Sequence, residues 1–410
     1  DLIQARLRDL SDDDKDLLDV ASCCGFRFDP SVLATVADAP LIPTLKRLAR
    51  IESKHRLIRS AGMGFVFDHH QVQESLYAAL PGMLRQAYHA AIGEVLAARA
   101  SEAKASDGAL AVEICEHFLE GGRGADALNH LDAALDHLQA GYLMDQMAAL
   151  AGRALDAPDL LTGGKRVRIQ LRMNDALQVL GRRDAQAKLL DDAGNAMQEV
   201  DDDALRARVR SARAALFSRT AKYDEALAES EAALELATRA ADPKQQAGAH
   251  GGIGLALTHL GRYDDAASHL ERSLSISRES GALEQEGHLA GTLGVLYWRQ
   301  GRNEEALEQE SRAIELARRI GNRRNAAAAV GCVGLIYMAQ GRNDEARVES
   351  ERALEVFREI GDRPGEAAEL GNIAITYLSS GRLAEALDRF RRGHAMSAEL
   401  GMARDEAINL

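Results

Sequence analysis

The sequence predicts an all-α chain, built as a solenoid of antiparallel helix pairs preceded by a small domain of three helices and a β-hairpin. Three observations carry that expectation. Between residues 247 and 406 one pattern returns every 40 residues with almost no drift. Aromatic residues make up only 4% of the 410, with seven prolines against many Ala, Leu, Glu and Arg, a composition that favours helix. The first 80 residues lack the repeat and contain the one stretch that reads as paired strands.

The repeat is visible in columns. Gly254, Gly294, Gly334 and Ala374 align, and Leu257, Tyr297, Tyr337 and Tyr377 follow three residues on. Ala266, Ala306, Ala346 and Ala386 fall twelve past the first column, and Ser273, Ala313, Ala353 and Gly393 seven further. Gly261-Arg262, Gly301-Arg302, Gly341-Arg342 and Gly381-Arg382 mark a turn inside each unit, and Gly281, Gly321, Gly361 and Gly401 mark its end. A fixed period of this size denotes units that bury an apolar face only against their neighbours. Gly251, Gly254, Gly291, Gly294, Gly331, Gly334 and Gly371 lie inside predicted helices. Each weakens a helix by about 0.5–1 kcal/mol relative to Ala, a loss that close helix-on-helix packing has to offset.

The spacings of 3, 12 and 7 resemble the tetratricopeptide repeat (TPR) in a 40-residue version. That resemblance implies a TPR α-solenoid, a right-handed superhelix of helix pairs. Six in-phase units are expected over 167–406, the first irregular because Gln186 stands where Ala is expected. Residues 407–410 then read as the start of a further helix.

Upstream, Ser11 followed by Asp12, Asp13 and Asp14 is a helix start, with acids at the positive end of the dipole and Leu17, Leu18 and Val20 opening an apolar face. Gly25 to Pro30 breaks that helix, and a short second one is expected. A third, after Pro43, carries Leu45, Leu48 and Ile51 on one side. Leu57-Ile58-Arg59, a Gly-containing turn and Phe65-Val66-Phe67 read as a hairpin. Three helices and a two-stranded wing over 1–80 make a winged-helix domain. Residues 81–165 read as linking helices and first irregular repeats, with a hinge near 100–109 and a loop from Pro158 to Lys165.

The run Phe65-Val66-Phe67-Asp68-His69-His70, then Glu74-Ser75-Leu76-Tyr77, Leu84-Arg85 and His89, resembles the junction that follows the nucleotide-binding domain in bacterial STAND-class signalling ATPases. Glu116 to Gly121, with Ala125, Ala127 and Ala134, resembles the first helical repeats of such proteins. The resemblance implies a winged-helix plus TPR sensor whose ATPase domain precedes it in a larger protein, and an Asp rather than a Met at position 1 agrees. It also implies that His69 contacts bound nucleotide in the parent protein. The family's Met-His-Asp motif is here Asp68-His69-His70, so packing or a helix-start role is the competing reading.

Little in the sequence points to catalysis. Gly163-Gly164-Lys165 fails as a phosphate loop, because the first Gly of the motif is missing, Arg166 replaces Ser/Thr and no buried strand precedes it. Cys23, Cys24, Cys115 and Cys332 lack metal-ligand spacing, so neither zinc nor disulfides are indicated and a reducing cytoplasm fits. Of His250, His259, His269 and His288, only His259 and His288 are expected to face the inner surface. Acid pairs such as Asp264-Asp265 and Glu304-Glu305 are explained by the helix dipole. No cofactor, metal or enzymatic activity is expected, and no apolar run is long enough to span a membrane.

Of the net charge of −13, residues 1–100 hold 12 Lys+Arg against 13 Asp+Glu, leaving 38 against 50 in the remainder. An acidic solenoid disfavours nucleic acid. Lys46, Arg47 and Arg50 on the third helix nevertheless keep open a reading as a DNA-contacting winged helix, beside a solvated or protein-docking face. The expected working surface is the concave face lined by first helices. It presents Leu255, Val295, Leu335 and Ile375, then Thr258, Trp298, Met338 and Leu378, beside the Gly251, Gly291, Gly331 and Gly371 track. His259, Arg299 and Asn372 complete the expected contact set. Such a groove suits a protein or peptide segment, with Trp298 either a hot spot or inter-repeat packing. The functional expectation is a non-catalytic sensor of a protein or small signal, with a constitutive scaffold and a DNA-binding regulator as alternatives. Self-association is left open.

Overall fold

The computed structural model describes residues 6–102 and 107–399. The middle of the expected hinge, the end of the sixth repeat and the helix start at 407–410 lie outside the described residues. The chain divides into two compact units, Asp1–Val200 and Asp201–Leu410.

In the first unit, α1 (Asp12–Cys24) begins where the sequence indicates, with the Ser11 side chain accepting from the Asp14 N–H. Next come β1 (Arg27–Phe28), α2 (Pro30–Val36), α3 (Leu41–His55), β2 (Ile58–Ala61) and β3 (Gly64–Phe67). The expected two-stranded wing is a three-stranded antiparallel sheet in the order β1-β3-β2. Arg27 and Phe28 pair with Val66 and Phe65 inside what the sequence presents only as a helix break. Helix α3 starts two residues before Pro43, which a first turn tolerates because its N–H has no intrahelical partner there. Leu48 and Ile51 are fully buried with Leu17, Leu18, Leu33, Phe65 and Phe67, so helices and sheet share one apolar core of winged-helix type. Leu45, expected on the same side, is 37% exposed.

Helices α4 (His70–Ala79) and α5 (Gly82–Glu102) lead into helix pairs α6 (Gly108–Glu120) and α7 (Gly124–Ala140), then α8 (Met144–Asp156). Gly163 and Gly164 form the first turn of α9 (Gly163–Val179), preceded by an extended Thr162, as a helix-connecting turn requires. With α10 (Arg183–Ala196) this helix makes the first in-phase pair. Gln186 is buried there, its amide donating to Asn174 at 3.0 Å, so two polar residues fill a contact that Ala makes elsewhere.

Among the described residues the second unit is five helix pairs. Its first helices are α11 (Asp203–Arg219), α13 (Pro243–His259), α15 (Leu283–Arg299), α17 (Arg323–Ala339) and α19 (Arg363–Ser379). The second helices are α12 (Tyr223–Arg239), α14 (Tyr263–Glu279), α16 (Asn303–Arg319), α18 (Asn343–Ile360) and α20 (Leu383–Glu399). Within each later pair the turn is closed identically. Gly261, Gly301, Gly341 and Gly381 have φ of 75°, 75°, 76° and 73°, the left-handed region that a helix C-terminus assigns to Gly. The backbone N–H of Arg302, Arg342 and Arg382 returns to the carbonyl of Tyr297, Tyr337 and Tyr377, each at 2.9 Å. The same arginines lie over those rings at 4.2, 4.0 and 4.5 Å. They also pair with Glu305, Glu345 and Glu385 on the following helix. The acidic residues that open the second helices therefore do more than complement a dipole, since each also anchors the arginine that seals its turn.

Candidate interaction surface

The expected surface residues occupy equivalent places on successive first helices. Leu255 and Ile375 are each 39% exposed, and Val295 and Leu335 are half-buried. His259 and Arg299 are exposed on adjacent first helices. The His259 ring stacks on Tyr223 with centroids 4.3 Å apart. Burial first, and then the positive charge of Arg299, lower its pKa. Trp298 is half-buried and packs on the cluster of Ile253, Leu257, Leu293 and Leu296. Met338 is likewise half-buried. Asn372 is buried, and its amide already donates to Glu369 at 3.2 Å.

The interior glycines fall into two groups. A Cβ at Gly254 would sit 2.5 Å from Leu270, one at Gly294 2.5 Å from the Glu310 Oε1, and one at Gly334 2.9 Å from the Ser350 hydroxyl. One at Gly331 would overlap the Glu369 carboxylate. Gly251 and Gly291 have only ordinary contacts at 3.5 Å or beyond, and Gly371 has none within 4 Å. Close packing thus accounts for the first four and not for Gly371.

Between α15, α16 and α17 lies a cavity of about 400 Å³, bordered by Val295 of the expected surface and by Glu284, His288, Thr292, Asn325 and Cys332. Glu310 also lines it, at 1% exposure, and among the described residues neither an amide, a hydroxyl nor a cation donates to its oxygens, the Cys332 thiol being its polar neighbour. Burial pushes its carboxyl up to about 8, only partly opposed by the neighbouring Cys332 thiol. Nothing in a motif marks Glu310. The signal available in the sequence is its column, where Ser230, Leu270, Ser350 and Phe390 stand at the same register and none is acidic.

The other sequence candidates lie in the first unit. Arg47 and Arg50 hold the buried Asp14 at 3.3 and 2.8 Å, with a further bond from Arg47 to the Asp13 carbonyl. Burial alone would raise the Asp14 carboxyl, but Arg50, Ser11 and Arg47 outweigh it and hold it below its usual value. Lys46 is exposed. The N-terminal turn of the same helix shows Leu41 and Ile42 to solvent, 43% and 67% exposed. His69 caps α4 through its backbone alone, with its ring exposed and 3.6 Å from Asp68. His70 stacks on Phe26 at 3.9 Å. Of the remaining histidines, His288 faces the cavity, and His250 and His269 meet Nδ1 to Nδ1 at 3.0 Å. All four cysteines are free thiols. Among the described residues no group of His, Cys, Asp and Glu has metal-binding geometry, and no helix is long and apolar enough to cross a membrane.

Residues 245–319 and 325–399 match the tetratricopeptide repeat family model. This stretch is a TPR array. The solved structure of a Signal Transduction ATPase with Numerous Domains (STAND) protein with a tetratricopeptide repeat sensor, from Pyrococcus horikoshii, matches 97% of the chain at 15% identity and a TM-score of 0.52. The chain spans 65% of that structure's length. Its similarity therefore runs through the winged-helix region as well as the TPR array. Aspartyl phosphate phosphatase F from Bacillus subtilis aligns over 94% of both chains at 12% identity and a TM-score of 0.55. A Rap protein complexed with competence and sporulation factor covers 80% of this chain and 96% of its own, at 13% identity and a TM-score of 0.53. At such identities the likeness is one of fold. Among curated proteins no sequence relative matches.

Proposed function

We propose that the chain is the non-catalytic sensor region of a STAND-type cytoplasmic regulator. In this reading the first-helix face of its TPR array binds a segment of another protein or a peptide signal, and occupancy is relayed to a nucleotide-binding domain of the larger protein. The observation that carries the reading is the regular column of part-exposed apolar residues, Leu255, Val295, Leu335 and Ile375, with a cavity that Val295 borders along it. Soluble proteins seldom repeat exposed apolar side chains in register without a partner to cover them, and an extended segment crossing successive first helices contacts one such residue per unit.

Two neighbours of the same fold are complexes, one with competence and sporulation factor and one with the Phr* peptide. They support a peptide or protein as the kind of ligand. Neighbour-to-neighbour packing in a repeat array gives occupancy a route for spreading, since a ligand that prefers one spacing of the helix pairs shifts the population toward it. His69 belongs to the same proposal as the nucleotide-sensing residue of the parent protein, its exposed ring being free to meet a domain beyond this chain. Free thiols at every cysteine suit a reducing compartment.

The test is a random hexapeptide array probed with the wild-type chain and with a Val295→Asp, Leu335→Asp double variant. Both positions are half-buried, so circular dichroism and melting first establish that the variant folds. Retention of a peptide set by the wild type, weakened by about tenfold or more in the variant, supports the reading, because a charge placed in an apolar contact removes roughly 1.4 kcal/mol or more. Equal retention by both proteins would move the ligand site off this face.

A further inference from the structure

Other buried acids of the TPR array, among the described residues, are ion-paired or hydrogen-bonded from within. Glu229 is held by Arg210 and Arg213 at 2.9 and 3.2 Å. Glu286 is held by Arg278 and Arg312 at 3.1 and 3.0 Å. Glu369 takes hydrogen bonds from Asn372 and Ser350. Glu310 has no arginine, amide or hydroxyl of this kind, only the weakly donating Cys332 thiol, although it is as deeply buried as any of them. Its carboxylate lies over Gly294 and beside Gly291, at the wall of a cavity whose lining includes a second acid, Glu284, and no lysine or arginine. The walls are Gly291, Val295, Ala313, Ile320 and Ala329, small and apolar, which suits the methylenes of a long side chain more than a polar headgroup alone.

We propose that this cavity is the specificity subsite of the TPR surface, receiving a lysine or arginine side chain of the bound segment, with Glu310 as the acceptor of its charge. The proposal rests on the segment-binding reading of the first-helix face and adds to it the chemistry of one ligand residue. A buried acceptor without a partner is unfavourable until something donates to it. An incoming ammonium or guanidinium supplies that donor as the carboxyl releases to solvent the proton that burial holds on it, and the apolar stem behind it covers the Val295 wall. A neutral or acidic ligand residue brings no cation to the site and leaves Glu310 protonated, so the same carboxyl favours a basic residue.

The experiment uses hexapeptide pools in which each position in turn is fixed as Lys, Arg, norleucine or Glu, binding to the wild-type chain and to Glu310→Gln. The variant keeps the shape and removes the ability to ionise. Alongside, n-butylammonium chloride is titrated into chain carrying ¹³C-labelled glutamate carboxyls, with sodium chloride at equal ionic strength as control. The Glu310 resonance is identified by its absence in Glu310→Gln. The expected result is a preference for Lys or Arg over norleucine at one position by about tenfold or more, the scale of one charge-assisted hydrogen bond. That preference is lost in Glu310→Gln while the norleucine peptides still bind, and the Glu310 resonance moves with n-butylammonium only. Peptide binding with no basic preference, or a preference that survives Glu310→Gln, overturns the subsite and leaves the surface reading standing. If no pool binds, the surface reading fails, and an unmoved Glu310 resonance then overturns the subsite as well.

Discussion

Burial holds the Glu310 carboxyl up at about 8, against an ordinary value of 4.5, with Cys332 of α17 beside it and Glu284 and His288 of α15 lining the same cavity. The folded state therefore binds a proton that the unfolded chain has released. The sign follows directly: this residue's full contribution is present below about pH 4.5 and is lost as the pH rises to about 8. Above that, ionised Glu310 destabilises the fold by an amount bounded by its shift, a few kcal/mol in order of magnitude. Glu310→Gln removes the ionisation. The variant is expected to match the wild type near pH 5 and to melt higher at pH 8.5. Thermal melts across that range check it, and parallel curves would mean that the carboxyl is hydrated. The sequence hid this residue because a lone Glu on an acidic helix looks solvated, and only its column reveals that it points inward. The Gly-Arg pairs were legible as turns but not as clamps. Tyr297 and Arg302 meet only because the left-handed Gly301 folds the arginine back over the ring, a contact that no helical periodicity encodes.

At the scale of helices and strands, capping reinforces the period. Asp202, Asp242, Asn322 and Asp362 each accept from the N–H three residues on, at 2.9 to 3.1 Å, and Ala282 breaks the series. The glycines inside the first helices divide by what lies opposite. Gly294→Ala would place a methyl 2.5 Å from Glu310 and is expected to destabilise the array despite alanine's higher helix propensity. Gly371→Ala meets nothing within 4 Å and is expected to stabilise by about 0.5–1 kcal/mol. Urea unfolding of both variants checks the pair, and stabilisation by both would remove the packing argument from Gly294. Sequence reasoning treated the two glycines alike because the column shows where a side chain is missing and not what fills the space. It missed β1 for a related reason. Two residues are too short for an alternating pattern, and Arg27–Phe28 becomes a strand only because β3 offers it an edge.

For the whole chain, the TPR array was legible because a 40-residue period repeats the same local solution, and each repetition confirms the last. The winged-helix region had no such redundancy and was read from caps, breaks and a short apolar hairpin, which gave its elements but not the third strand. The expected surface was legible as a column and not as a cavity, since the cavity also depends on Glu310 of α16, a second helix outside that column. The central claim is that a segment lies along the first helices of the second unit. Hydrogen-exchange mass spectrometry, on the chain with and without the strongest peptide from the array, tests it most directly. The account predicts slowed exchange in α13, α15, α17 and α19, greatest beside the cavity lined by α15, α16 and α17, with α14 and α18 changed little. Protection confined to the second helices or to the winged-helix region, or no protection at all, would contradict it.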